Sequence, residues 1–188
     1  MPWTIEAKVQ PLLGVAGHLY LDIFDDEGKR VVQINGFSFC DKTKKITPIG
    51  TPQDKLKAYV TNKVVLAETS GLDRDHQPYG GHVIFSGTKE EVLEVIDRLK
   101  ELAEEFNAKD FLYRVFSFNS NTVFSAMVHK ISQIVPVDME AVDKTIALKK
   151  ITPGVKRKLM RNKTSLTEVF NKGKKSRGTK PKPPKPTP

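Results

Sequence analysis

Cysteine is almost missing from this chain: among 188 residues there is one, Cys40. A single cysteine excludes an intrachain disulfide and leaves too few thiolates for a zinc site of the cysteine type. Histidine is nearly as scarce, and His18, His76, His82 and His129 are scattered without an H-x-x-x-H pair, so the sequence predicts no metal. Neither a Walker loop nor a G-x-G-x-x-G run occurs, and no cofactor is expected. Long apolar runs are lacking as well. The N-terminal stretch holds Glu6 and Pro11 and no apolar segment of spanning length. That predicts a protein without a cleavable signal or a transmembrane helix, cytoplasmic at synthesis, with specialised export left open.

What is present is ordinary globular material, 38% hydrophobic and 28% charged, in a chain long enough for one sizeable core. The net charge of +9 is unevenly placed. Residues 1–137 carry 16 Lys and Arg against 18 Asp and Glu, whereas residues 138–188 carry 15 against 4. The basicity is therefore C-terminal, and the chain divides into a domain over 1–135, a basic helical extension over 136–171 and a Lys/Pro-rich tail over 172–188. The tail holds six lysines, one arginine and five prolines and no larger apolar side chain, so it is expected to be disordered.

Periodicity predicts an α+β domain, an antiparallel sheet packed against helices. Trp3–Val9, His18–Phe24 and Arg30–Phe37 read as strands, the last two joined by a hairpin turn at Asp25-Asp26-Glu27-Gly28. Val32 and Ile34 then face one way, and Gln33 and Asn35 the other. Residues 41–56 read as loop, Ala58–Glu68 and His82–Phe85 as strands, and Thr69–Gly81 as turn-rich. Thr88 and Glu91 form a capping box ahead of Val92, Ile96, Leu99, Leu102 and Phe106, which predicts a core-packing helix over 88–106. A short strand over Phe111–Phe118 and helices from about Asn121, over Met139–Leu148 and from Thr152-Pro153 through Phe170 complete the expectation.

The run Phe118–Val128, FNSNTVFSAMV, puts a small polar triplet in front of an apolar helical repeat, Val123, Met127 and Ile131. Ser120 or Asn119 can cap the free N–H groups there. The positive end of a helix also stabilises a developing anion, so the same residues suit a nucleophile or an oxyanion. His18, at the mouth of a strand, is the candidate base.

These features resemble the circularly permuted branch of the NlpC/P60 and papain-like superfamily. The resemblance is carried by Gly17-His18-Leu19-Tyr20-Leu21 on a first core strand, by the Arg30–Asn35 strand beside it, and by Tyr113 leading into Asn119-Ser120-Asn121-Thr122-Val123 on a helix. It covers roughly residues 15–131. It implies a papain-like fold in which the nucleophile at the helix N-terminus is normally cysteine, paired with a histidine from the sheet and oriented by a third polar side chain. Here serine stands at the matching position. The implied activity is hydrolysis of amide or ester bonds in a peptide, cell-wall or lipid substrate, in a bacterial or phage setting. Ser120 would attack, His18 would take its proton, Asn35 or Gln33 would orient the imidazole, and N–H groups near Ser120 and Asn121, supported by Asn119, would hold the oxyanion. The plainer alternative is that Ser120 only caps a helix and the domain is an inactive binding module.

The basic region offers another contact. Lys156, Arg157, Lys158, Arg161 and Lys163 cluster in the predicted last helix, and Lys174, Lys175 and Arg177 follow in the tail. Such clusters attract nucleic acid or an anionic membrane surface. No aromatic residue follows Phe170, so base stacking is not supported there.

Overall fold

Alternation along the N-terminal half builds a sheet with one strongly apolar face. The computed structural model describes residues 1–12, 16–47, 49–62, 80–148 and 152–174. Its strands are β1 (Trp3–Leu12), β2 (Ala16–Phe24), β3 (Arg30–Cys40), β4 (Lys45–Thr47), β5 (Lys55–Thr61) and β6 (Gly80–Gly87). All are paired antiparallel in one six-stranded sheet of order β4-β3-β2-β1-β6, with β5 also pairing β3. The first strand thus runs past Val9, and the expected loop over 41–56 contains β4 and the start of β5. Residues 63–68 of the expected fourth strand and 69–79 of the expected turn, His76 included, lie outside the described residues.

The β2–β3 hairpin closes as its sequence dictates. Asp25 Oδ1 accepts the N–H groups of Glu27 and Lys29, and Gly28 takes the left-handed conformation at φ 77° that favours glycine. The turn sets Leu21 opposite Ile34 and Asp22 opposite Gln33. Beyond that pair the two strands part. β5 covers one edge of β3 from Gln33 to Phe39, while the other edge is taken by β2 as far as Ile34 and by β4 only from Ser38. Among the described residues, the β2 segment 17–20 pairs with β1 alone.

The helices cover one face. α1 (Lys89–Ala108) begins with the Thr88–Glu91 capping box and buries Val92, Val95, Ile96, Leu99, Leu102, Ala103 and Phe106 at spacings of three and four. At its end Asn107 clasps the outer edge of β5, its carboxamide accepting from Ala58 N at 2.8 Å and donating to Ala58 O at 2.8 Å. α2 (Ser120–Ile131) is buried along nearly its whole length and packs on β3, β2 and α1. α3 (Met139–Ala147) is capped by Asp138 and packs on β6 and β1. α4 (Arg157–Met160) and α5 (Leu166–Lys174) follow.

Ile5, Leu19, Leu21, Ile34 and Ala58 from the sheet share one core with residues of α1 and α2, and also with Val142, Ile146, Leu159, Met160, Val169 and Phe170 of the basic extension. The opposite face carries a small separate cluster around Tyr20 and Phe37.

Two expected elements are corrected. Phe111–Phe118 is a turn held by single bridges at Leu112 and at Arg114–Phe118, with no continuous strand partner among the described residues. The single helix expected from Thr152-Pro153 through Phe170 is two helices. Gly154 at φ 83° and Asn162 at φ 56° take left-handed backbone that a helix cannot accommodate. The second start is marked by Ser165, whose Oγ accepts from Glu168 N at 3.1 Å. Lys172 and Lys174, expected in the disordered tail, belong instead to α5, and residues 175–188, with Lys175 and Arg177, lie outside the described residues.

Candidate functional site

The N-terminal turn of α2 is densely bonded. Asn119 is the N-cap: its Oδ1 accepts from Asn121 N at 3.0 Å, and Thr122 Oγ1 accepts from Asn119 N at 3.3 Å, closing a capping box. The Asn121 N–H is therefore committed to the cap. The Asn121 side chain does something else. Where β3 leaves β2, Gly17 C=O and Leu19 N–H face an edge without a strand. The Asn121 carboxamide bonds both, accepting from Leu19 N at 2.8 Å and donating to Gly17 O at 2.9 Å. One residue of a parallel neighbouring strand makes the same pair of contacts. Its second N–H reaches Pro153 O at 2.9 Å, so every polar atom of this side chain is used.

Pro153 belongs to a strap, residues 152–156, that lies across this end of α2. Thr122 Oγ1 donates to Gly154 O at 2.9 Å, and Ser125 Oγ accepts from Lys156 N at 2.9 Å. Gly154 touches Asn119 so closely that a Cβ there would stand 2.2 Å from Asn119 Oδ1.

Ser120 is buried. Its Cα abuts Gly36 of β3, where a Cβ would fall 2.9 Å away, and its hydroxyl is hydrogen-bonded to the Tyr113 phenol. Burial pushes that phenol up to about 12, against the opposing pull of the Gly50 N–H and the Ser120 hydroxyl.

His18 and Asn35 do come together. His18 Nε2 and Asn35 Oδ1 are 3.0 Å apart, both residues are buried, and the imidazole stacks on Phe37 with ring centres at 5.2 Å and on Tyr20 at 6.1 Å. Burial pushes the imidazole down to about 4, the bond to Asn35 offsetting only part, so it is neutral at pH 7. Neither His18 Nδ1 nor Asn35 Nδ2 has a hydrogen-bond partner among the described residues. Gln33, the alternative orienting residue, bonds Asp22 Oδ1 at 3.0 Å instead.

Ser120 does not join this pair. Period-two alternation places His18, Tyr20, Asn35 and Phe37 on one face of the sheet, while Leu19, Ile34 and Gly36 turn to the face that receives α2. Among the described residues no hydrogen bond joins Ser120 to His18 or Asn35.

A different site forms around the strap. A cleft of about 560 Å³ is lined by Arg114, Lys156, Arg157, Lys158, Lys163 and Lys172, with Ser117, Phe118, Val155, Leu159, Thr164 and Val169, and by a single carboxylate, Glu168. Glu168 is engaged by Lys172 at 2.6 Å. Lys156, Lys158 and Lys163 form no ion pair among the described residues. The Lys156 ammonium is held below the usual lysine range, first by burial and then by Lys172. Four of the cations expected from the sequence, Lys156, Arg157, Lys158 and Lys163, line this cleft. Arg161 does not; it pairs with Asp143 beside a second cleft. Arg114 and Lys172 escaped the sequence reading, although the Ser165-x-x-Glu168 helix start is a signal that could have placed Lys172 on a separate helix.

Comparison with known protein families, with curated proteins and with solved structures finds no match. Among the described residues, no group of three His, Cys, Asp or Glu is placed to hold a metal ion, and no helix is long and apolar enough to cross a membrane.

Proposed function

We propose that this protein is a binding module that engages a phosphate-bearing polyanion through the cleft between the strap, α4 and α5. The observation that carries this is the lining: six cations face one carboxylate, and Lys156, Lys158 and Lys163 form no direct ion pair among the described residues. Walls of low dielectric focus the field of such a cluster. Lys156 is a partly dehydrated cation beside another cation, an arrangement that a bound anion relieves. The finer reading, that the scaffold is a papain-like domain of permuted type turned to binding, rests on the sequence resemblance.

The test is fluorescence anisotropy of labelled inorganic polyphosphate with the full chain and with Lys158→Glu/Lys163→Glu. The variant is expected to bind weakly and to lose about two from the slope of log K against log salt. Unchanged affinity and slope would remove the cleft from consideration.

A second reading, a hydrolase of amide or ester bonds, is favoured by the His18–Asn35 pair at 3.0 Å, whose imidazole Nδ1 has no hydrogen-bond partner among the described residues. The placement of Ser120 on the other face weighs against it. Alkylation of Ser120→Cys in a Cys40→Ser background decides: a thiol titrating well below about 8.5 and dependent on His18 supports catalysis. An ordinary, His18-independent thiol leaves Asn119–Ser120–Asn121 as a helix start only.

A further inference from the structure

Beside the basic cleft the chain exposes apolar side chains that a globular protein ordinarily covers. In the turn over 112–117, Phe116 is 83% exposed, Leu112 40% and Val115 38%. The turn is not loose. Arg114 N donates to Phe118 O at 2.8 Å, Phe118 N returns a bond to Arg114 O at 3.0 Å, and the Asn119 side-chain amide holds Val115 O from below. At its base Phe118 is buried against Phe106 and Phe111. A rigid foot therefore presents a phenyl ring to solvent. Arg114, Ser117 and Phe118 of the same turn line the basic cleft, which puts the exposed tip at its rim.

We propose that the Val115–Phe116 tip inserts into the surface of an anionic lipid bilayer while the cleft lysines hold its phosphate-bearing headgroups. This rests on the reading of the cleft as an anion site and names its occupant. Charge complementarity selects the lipid surface: apolar side chains at the rim of a cationic cleft match hydrocarbon beneath a negative headgroup layer. Nucleic acid fits less well, because two of the three exposed side chains are aliphatic and offer no face for base stacking.

The experiment is co-sedimentation of the full chain with vesicles of phosphatidylcholine alone and of phosphatidylcholine with about 30% phosphatidylserine, run beside the polyphosphate assay. Binding is expected only to the anionic vesicles. Phe116→Ala should weaken it roughly ten-fold and leave polyphosphate affinity unchanged. Lys158→Glu/Lys163→Glu should weaken both, by about five-fold per lysine on vesicles. A Phe116→Trp variant in a Trp3→Phe background should bind and shift its emission to the blue on adding anionic vesicles. Vesicle binding indifferent to Phe116, with no blue shift, overturns the tip while leaving the cleft reading intact if the double variant still loses polyphosphate. Tight binding of an oligonucleotide, lost in Phe116→Ala and unaccompanied by vesicle binding, replaces lipid with nucleic acid. If neither variant alters binding to anything, the tip and the cleft fail together and the residues after 174 carry the affinity.

Discussion

Acidification should cost this protein stability, most of all through His18, with His129, also lowered by burial, acting in the same sense. The imidazole is fully buried between Tyr20, Phe37 and Asn35, and burial holds it at about 4 against an ordinary 6.5. Between those values the unfolded chain binds a proton that the folded one refuses, so stability falls as pH falls. The His18 contribution is complete above pH 6.5, is reduced by about 2 kcal/mol at pH 5 and by about 3 kcal/mol below pH 4. Asp22 acts in the opposite sense: burial raises its carboxyl, so the folded state holds that proton better and acid favours it. The comparison must therefore be between two proteins that share Asp22. Urea titrations of the wild type and of His18→Gln at pH 7.5 and 5 should show the variant losing less on acidification, by about 2 kcal/mol. The ring resonances of His18, followed by NMR, should titrate near pH 4 or be lost in acid unfolding. A His18 resonance titrating near 6.5, or a stability gap between the two proteins that does not change with pH, refutes the burial argument.

Other side chains give sharp expectations. Asn121→Ala removes three hydrogen bonds and leaves Leu19 N and Gly17 O buried without partners and the half-buried Pro153 O unpaired, which should cost about 3–5 kcal/mol in chemical denaturation. Gly154→Ala places a side chain at φ 83° and against Asn119; it should destabilise by about 2 kcal/mol or more, and proteolysis should then open the strap. Asn119→Ala should cost about 1–2 kcal/mol as the loss of the α2 cap, whereas Ser120→Ala, which removes only the bond to Tyr113, should cost about 1 kcal/mol or less. Equal losses at the two positions would contradict the assignment of the cap.

Local chemistry is where the sequence spoke most clearly. The Thr88–Glu91 capping box with its apolar repeat, the Asp25–Gly28 turn and the alternation of Val32 and Ile34 against Gln33 and Asn35 depend on neighbours a few residues away. Each appears in the structure close to where periodicity puts it. The same logic misread Phe111–Phe118, because Phe111 and Tyr113 turn inward around exposed Leu112 while Val115 to Ser117 are all exposed before Phe118 returns to the core, the pattern of a turn anchored at both ends. It also passed over the helix breaks at Gly154 and Asn162, where a run of basic residues masked two left-handed positions. The grouping of His18 with Asn35 was legible, since both sit on strands joined by one hairpin. Their separation from Ser120 was not, because it depends on which sheet face α2 chooses.

The sequence by itself determined the capped helix after Thr88, the β2–β3 hairpin and the charge asymmetry, which follow from composition, propensity and period. Only the tertiary structure decided that Asn121 would stand in for a missing strand against Gly17 and Leu19, residues more than a hundred positions away. It alone brought Arg114 to the same cleft as Lys156, Lys158 and Lys172. The physical reason is common to both. A backbone edge left open by the parting of β2 and β3 must be satisfied by whatever polar group packing delivers, and a charged cleft is made wherever packing stops. Neither condition is encoded in any short stretch of chain.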